Sequence, residues 1–471
     1  GANVLGYIAE VNNSIIEKDD YYLMGDLIGK QGVEISYEEE LRGIKGIKFI
    51  QKDRFNRDVG SFRNGELDII PIAGKDLTIT IDSKLQDYGE QLMNGKKGGI
   101  VAIDPRNGEI LSLVSAPSYN PNLLIGRNRS KNYMDLYRDS IYKPLIDKSL
   151  LNMHAPGSPF KILVGLSALQ EKAITENTSI FCNNYYQYGK EKRTMQCHCG
   201  GGYRNLSNAL SLSCNSYFAN AYRKTIDTKS PTKETFNNWS NQMKSFGLGE
   251  YLNNDLSVGK KGIIPDFEFY NKWYPDFKWG ATTTLSNSIG QGEVLVTPIQ
   301  LANMTAAIAN KGYYYTPHII KKIEGSEINS KFRTKNYTLI DSTHFEPIIE
   351  GLSKVYKSGT AKFLQVPDIE ICGKTGTAEN FTKIDGKKTQ LTDHSIFVAF
   401  APKDNPTIAI SVLVENGYYG SRWAGRIASL MIEKYIKGEV TLKKMEQLVM
   451  NKSLDEEYQN PFLGKPFKIN Q

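Results

Sequence analysis

A serine, two lysines and a short polar turn, far apart along the chain, have the types that acyl transfer requires. Ser158 and Lys161 lie in Ala155-Pro156-Gly157-Ser158-Pro159-Phe160-Lys161, which runs into the apolar Ile162-Leu163-Val164-Gly165-Leu166. Pro159 suits the first turn of a helix, where its missing N–H costs nothing. The apolar run behind it reads as a buried helix. Ser158 then opens that helix, with Lys161 one turn on and on the same face. An amine so placed takes the proton of the hydroxyl, and the positive end of the helix favours the oxyanion. The spacing alone decides little. Ser140/Lys143, Ser230/Lys233 and Ser257/Lys260 repeat it, but none of them opens a comparable apolar helix.

Two further segments complete a constellation. Ser213-Cys214-Asn215 lies at a break between helical runs, and Lys374-Thr375-Gly376-Thr377 follows Ile371-Cys372-Gly373. Ser213 can relay a proton toward a leaving amine. Asn215 has both a donor and an acceptor for a substrate amide. Lys374 is the second cation that, together with burial, lowers the pKa of Lys161. With the hydroxyls of Thr375 and Thr377 it also meets a carboxylate. Gly376 lets a substrate backbone lie along an edge strand, and the N–H groups of Ser158 and Thr377 form an oxyanion hole. The plain structural alternatives are a helix turn at Ser213/Asn215 and a β-turn over Lys374 to Thr377.

Four of the five cysteines cluster as Cys182, Cys197, Cys199 and Cys214, with Cys372 apart as a core residue. Four thiolates suit tetrahedral zinc, and His198 can replace one of them. Two crossing disulfides in an oxidising compartment are the competing reading, and free thiols a third. Cys214 is the middle residue of Ser213-Cys214-Asn215, so the cluster should touch the reactive serine. Its expected role is a structural zinc that pins that turn.

The elements that must position these groups follow in order. Residues 1–76 read as a small, polar, partly β module, with a short helix over Glu34 to Arg42 and a solvated acidic face at Glu38-Glu39-Glu40. Residues 77–440 form the main domain. A strand at Leu77 to Asp82 and a helix at Ser83 to Met93 lead into a hairpin, 99–104 with 110–115, around Asn107-Gly108. Then come the Ser158 helix, a cysteine-rich insert at 180–200, helix broken by a turn over 206–223, and a loop-rich stretch at 225–280. A helix from Thr297 to Asn310, a hairpin of 395–400 with 407–414, and a helix from Gly425 to Ile436 close the domain. Residues 441–471 read as a charged, partly ordered tail. Strands, then helices, then strands indicate an α+β fold: an antiparallel sheet flanked by helices, plus a helical lobe. Tyr418, Tyr419 and Trp423 end the last strand and either border a groove or cover the sheet edge. His394 reads as structural.

Composition narrows the class. The chain has 471 residues, 40% hydrophobic and 23% charged, with 58 basic against 51 acidic residues. That is globular, and the net +7 is spread without the Lys/Arg block of a nucleic-acid binder. No apolar run reaches membrane-spanning length. Gly1-Ala2-Asn3, leading straight into Val4-Leu5-Gly6-Tyr7-Ile8, reads as a chain whose front, with any anchor, has been removed.

Ser-x-x-Lys, Ser-x-Asn and Lys-Thr-Gly in this order form the signature shared by β-lactamases and penicillin-binding proteins. The chain resembles a class B penicillin-binding protein of the elongation type, the Bacteroidetes-like penicillin-binding protein 2 family. The likeness extends to Gly29-Lys30-Gln31-Gly32-Val33-Glu34 with Tyr37-Glu38 and Leu41-Arg42-Gly43, and to Leu77 through Leu85. It includes Val101-Ala102-Ile103-Asp104-Pro105 with Gly108-Glu109-Ile110-Leu111, and Ser288-Ile289-Gly290-Gln291-Gly292. The resemblance implies the penicillin-binding transpeptidase fold on a partial dimerisation-like pedestal, and a D,D-transpeptidase that cross-links peptidoglycan stem peptides and is acylated by β-lactams. It implies an anchor holding the protein at the periplasmic face of the inner membrane. Its implied partners are a membrane glycosyltransferase of the RodA kind and scaffold proteins such as MreC, with no cofactor for the chemistry. Some relatives hold zinc in the same insert through acidic, His and Cys residues. A division-type transpeptidase, a β-lactam sensor or a silent penicillin-binding scaffold are the alternatives. A β-lactamase is disfavoured, because Glu234, Glu250 and Glu268 lack the Glu-x-x-x-Asn pattern.

Overall fold

The structure, a computed structural model, describes residues 1–226, 232–275, 279–384 and 386–459. A five-stranded sheet lies at its centre. β1 (Gly98–Ile103) and β2 (Ile110–Ala116) form the expected hairpin. β3 (Cys372–Ile384), β4 (Lys387–Ala401) and β5 (Ile408–Val414) come from the far end of the chain. The order is β3-β4-β5-β1-β2, antiparallel throughout, and Ala409 to Val414 pair with Gly98 to Ile103 to join the two halves. β3 is therefore an edge strand, and Lys374 to Thr377 lie within it rather than in a β-turn.

Every residue of β1, β2 and β5 is buried, because helices cover both faces of the sheet. Alternate side chains feed two cores. Ile100, Ala102, Val114, Phe397, Ile410 and Val412 pack with α1 (Ser83–Leu92) and with Ile427 and Met431 of a C-terminal helix. Val101, Ile103, Leu113, Val398 and Leu413 pack on the opposite side, toward α2 (Lys161–Gln170). That side also holds α3 (Leu206–Ser211), α4 (Asn215–Ile226), α5 (Pro298–Ala309) and α6 (Phe345–Lys357). All of α5, and all of α2 but Gln170, is buried, which explains their near-uniform apolar runs. α7 (Ala424–Lys437) ends on Gly438, whose φ of 77° provides the left-handed cap.

Three expectations need correction. The helix over Glu34 to Arg42 is two short ones, Gly32–Ser36 and Glu38–Leu41. They part at Tyr37, whose buried ring sends its hydroxyl to Asp255 Oδ2 at 2.7 Å, tying this module to the main domain. Glu38 is not a solvated charge: its carboxylate accepts from Tyr22 Oη at 2.8 Å and from the Gly29 N–H at 2.7 Å. The tail is not loose as far as it is described. α8 (Lys443–Asn451) and α9 (Asp455–Gln459) bury Val449, Leu454 and Tyr458. The buried Lys96 ammonium holds the Val449 and Lys452 carbonyls at 2.8 and 2.9 Å. Residues 460–471 of the expected tail lie outside the described residues.

Candidate active site

Ser158 begins a 3₁₀ turn, Ser158–Phe160, that leads into α2. The turn is pressed against β3. Gly157 has φ 61°, and a Cβ there would stand 2.6 Å from the Thr377 carbonyl oxygen. A Cβ on Gly376 would stand 2.6 Å from the Pro159 ring. The bare backbone of Gly376 thus also serves contact with the serine's own turn. Gly376→Ala should therefore cost about 1–3 kcal/mol by overpacking, read as a lower thermal midpoint together with slower labelling by penicillin.

The three motifs meet here. The Ser213 hydroxyl donates to Ser158 Oγ at 3.0 Å. Lys161 Nζ donates to the Ser213 carbonyl at 2.8 Å, to Ser213 Oγ at 3.1 Å and to Asn215 Oδ1. Ser213 thus stands between amine and nucleophile, a bridge that the one-turn spacing of Ser158 and Lys161 does not suggest. Ser213 lies between α3 and α4 with φ 57°, a left-handed conformation unusual for serine and of the kind that collects at working sites. Lys161 is fully buried, and burial lowers its pKa to about 8. Lys374 is also fully buried. Burial first, and repulsion from Lys161 second, hold its pKa well below the usual lysine value. Its Nζ rests 3.3 Å from the Thr375 carbonyl.

The insert reaches into this network. Asn215 Nδ2 donates to the Gln196 carbonyl at 2.6 Å, and the Asn215 N–H donates to Cys197 Sγ at 3.1 Å. Asn215 thus bridges the insert and Lys161 with one bond at each end of its amide, while it also lines the cleft. Cys182, Cys197, Cys199 and Cys214 are all buried, with their Sγ atoms within 4.8 Å of one another. Cys197 and Cys214 are 3.7 Å apart, and Cys182 and Cys199 3.5 Å. All five cysteines are free thiols, at separations well beyond the about 2.05 Å of a disulfide. The sulfur spacing is close to the about 3.8 Å edge of a tetrahedron built on about 2.3 Å zinc–thiolate bonds. The hydrogen bond between Cys197 and Cys214 lowers the pKa of Cys197 and raises that of Cys214. The donors fit a metal. His198 is not among them; it is exposed and lines the cleft instead.

The cleft has a volume of about 460 Å³ and is walled by Ser158, Ser213, Asn215, Thr375 and Thr377. Sequence reasoning missed several of its other residues. Thr360 shares a hydrogen bond with Thr375, Oγ1 to Oγ1 at 3.0 Å. Gln291 Nε2 donates to the Thr377 carbonyl at 3.0 Å. That carbonyl points away from β4, so the Thr377 N–H on the same strand edge faces the cleft. Gln291 was visible only inside Ser288 to Gly292, and Thr360 had no signal at all. The carboxylates at the cleft are Glu379 and Asp393, not those of 225–280. Of the aromatic trio, Tyr419 lines the cleft, whereas Trp423 is a core residue, 3% exposed. Glu457 of α9 accepts from Tyr418 Oη at 2.9 Å and so braces this loop.

Comparison with known proteins follows the same division. The family described as penicillin binding protein transpeptidase domain matches residues 98–433, and the one described as penicillin-binding protein dimerisation domain matches residues 1–79. Peptidoglycan D,D-transpeptidase MrdA of Acinetobacter baumannii is 34% identical over 434 residues, 89% of this chain and 62% of that protein. The chain thus spans less than two thirds of that relative's length. The crystal structure of Pseudomonas aeruginosa PBP2 in complex with WCK 5153 is similar with a TM-score of 0.77 and 31% identity, covering 94% of this chain and 90% of that one. The PBP2 chain of a Helicobacter pylori complex between PBP2 and MreC is similar with a TM-score of 0.77 and 28% identity, covering 93% and 78%.

Proposed function

Because the chain belongs to the penicillin-binding protein transpeptidase family, we propose that it is a peptidoglycan D,D-transpeptidase of cell elongation, acylated at Ser158 by stem peptides and by β-lactams. The observation that carries this reading is the Lys161–Ser213–Ser158 hydrogen-bond chain beside the Thr375/Thr377 edge of β3.

Ser158 Oγ attacks the penultimate D-Ala carbonyl while its proton passes by way of Ser213 to the neutral Lys161 amine. The N–H groups of Ser158 and Thr377 receive the oxyanion. The terminal carboxylate lies against the Thr375 and Thr377 hydroxyls, and its charge draws a proton back onto the buried Lys374. The C–N bond breaks, and the departing D-Ala amine takes up the proton held by Lys161. An amine of a second stem peptide then attacks the ester, gives up a proton, and returns Ser158 to its hydroxyl form. Cys182, Cys197, Cys199 and Cys214 would hold a zinc that fixes the turn carrying Ser213 and Asn215. It would supply no step of the reaction.

By likeness to its relatives, the protein would work at the periplasmic face of the inner membrane with a RodA-like glycosyltransferase and an MreC-like scaffold. No helix among the described residues is long and apolar enough to cross a membrane.

The test is a D-Ala-D-Ala peptide supplied with an amine acceptor. Release of D-Ala together with the new amide is expected. Penicillin that acylates and is quickly released hydrolysed would indicate a β-lactamase instead. The acylation rate should also follow the Lys161 amine. With its pKa at about 8, the base form is lost as pH falls, so the rate drops about tenfold per unit below that value and levels above it. A rate profile with fluorescent penicillin between about pH 6 and 9 checks this.

A further inference from the structure

Tyr419, Gly420 and Ser421 wall the catalytic cleft, and they belong to the loop between β5 and α7. This loop is fastened to the catalytic edge. Ser395 Oγ donates to the Tyr419 carbonyl at 2.9 Å and accepts from the Ala424 N–H at 3.1 Å, and Ser395 pairs with Thr377 across β3 and β4. Gly420 presses on the same place: a Cβ there would stand 2.6 Å from the Gly376 nitrogen and carbonyl oxygen. A shift of the loop therefore moves the strand that carries the Thr377 N–H.

The other side of the loop rests on the C-terminal segment, which the reaction above does not use. Tyr458 Oη donates to the Glu415 carbonyl at 3.0 Å, at the loop's start. The Lys96 ammonium, which holds the Val449 and Lys452 carbonyls, lies 5.1 Å from the centre of the Trp423 ring, at its end. In the middle stands Tyr418, with φ 71°, a left-handed conformation that an aromatic residue adopts only when its surroundings hold it there. Its N–H donates to the Asp393 carbonyl at 2.9 Å, and its hydroxyl donates to Glu457 Oε2 at 2.9 Å. Glu457 Oε1 accepts from Thr392 Oγ1, so one carboxylate ties the loop to β4 beside Asp393, which also lines the cleft.

We propose that Glu457 is a positioning residue for acylation: from the far end of the chain it keeps Tyr418 left-handed, and so sets the 419–421 wall and the 375–377 edge at the separation the transition state needs. This rests on the transpeptidase reading and adds a control on that site from outside it. The first complex with penicillin needs only the carboxylate contacts of the Thr375 and Thr377 hydroxyls. Alignment of the reacting carbonyl with the Ser158 and Thr377 N–H groups is felt in the transition state. Loss of the clamp therefore lowers the rate rather than the affinity.

The test follows penicillin labelling of the intact chain against penicillin concentration. In Glu457→Ala the limiting acylation rate should fall about tenfold, while the concentration giving half that rate moves less than about twofold. Tyr418→Phe keeps the ring and removes only the hydroxyl, so it should match Glu457→Ala, and it keeps the test open if the alanine variant folds poorly. The double variant should be no slower than Glu457→Ala alone, since both changes break one bond. Glu457→Gln should recover the rate, because its amide accepts from Tyr418 and donates to Thr392. Tyr142→Phe removes another anchor of α9, the 3.0 Å bond to Asp455 Oδ1, and should leave the rate unchanged. Tyr418→Phe that acylates at the wild-type rate with only a lower thermal midpoint overturns the clamp and leaves the enzymatic reading standing. Additive losses in the double variant, or an equal loss in Tyr142→Phe or Glu457→Gln, also overturn it. A wild-type chain that penicillin does not label removes the enzymatic reading, and the clamp with it.

Discussion

Ser158→Ala forms no penicillin adduct, and Lys161→Met keeps its fold but acylates about 10³-fold more slowly, the range of a lost general base. The two results separate nucleophile from base. Intact-mass measurement after penicillin reads the first, and the rate of fluorescent labelling reads the second. Methionine is unbranched and fills the fully buried Lys161 site without its charge. It leaves Asn215 Oδ1 and the Ser213 carbonyl short of a donor, a cost of about 1–3 kcal/mol. It also removes the cost of burying an ammonium, so the two effects oppose each other and the thermal midpoint should move little. Lys161→Arg sharpens the test. Arginine keeps donors for Asn215 and Ser213 but is not deprotonated in proteins, so it should be as slow as methionine. If Lys161→Met instead stays within tenfold of wild type while Lys374→Met is silent, the base is Lys374 and the bridge through Ser213 is incidental.

Much of this site is legible without coordinates, and the reason is local. The serine, both lysines and the Ser213–Asn215 turn sit in short segments whose backbone is set by their own residues: Gly157 and Pro159 at a helix start, a left-handed serine between two helices, an edge strand after Cys372. The central sheet is legible for the same reason, because strands buried on both faces read as apolar runs. What escapes is whatever distant packing decides. Thr360 becomes a cleft residue only because a loop after α6 folds against Thr375. The close approach of Pro159 to Gly376 is likewise set by packing between distant segments. The bond from Asn215 to the insert also depends on packing that no local pattern announces. The charged tail looks solvated because its apolar residues are few. Yet Tyr458 gives its hydroxyl to the Glu415 carbonyl and accepts from the Lys97 N–H, which places α9 under the loop that carries Tyr419. The break at Tyr37 has the same origin, a partner more than two hundred positions away.

The protein as purified should carry zinc on its four clustered cysteines, and stripping it should slow penicillin acylation by about 10–100-fold, the usual penalty for disturbing the shell around a site. The argument runs through one residue. Asn215 holds Lys161 by Oδ1 and is itself held by the insert, through the Gln196 carbonyl and Cys197 Sγ. Four buried sulfurs drawn together without a cation would bring like charges into one cavity as they ionise, so protons must remain on most of them. A divalent ion removes that conflict, lets each sulfur be a thiolate, and makes the insert's closure part of folding. Without it the strands around Cys182 and Cys197 lose their common anchor, and the Gln196 carbonyl no longer fixes Asn215. Lys161 should then drift from Ser213, slowing acylation while Ser158 stays in place and Ser158-dependent labelling persists at long times. Cys199→Ser should do the same with a lowered thermal midpoint, since its sulfur reaches Cys182 from a residue that makes no bond to Asn215, Ser213 or Lys161. Cys372→Ser, buried against the Ile349 carbonyl and outside the group of four sulfurs, should cost stability without changing the metal content. Metal analysis of the native protein, thiol titration before and after a chelator, and labelling rates together decide it. Protein that labels at full rate with four freely titrating thiols and no metal would show that packing alone holds the insert closed.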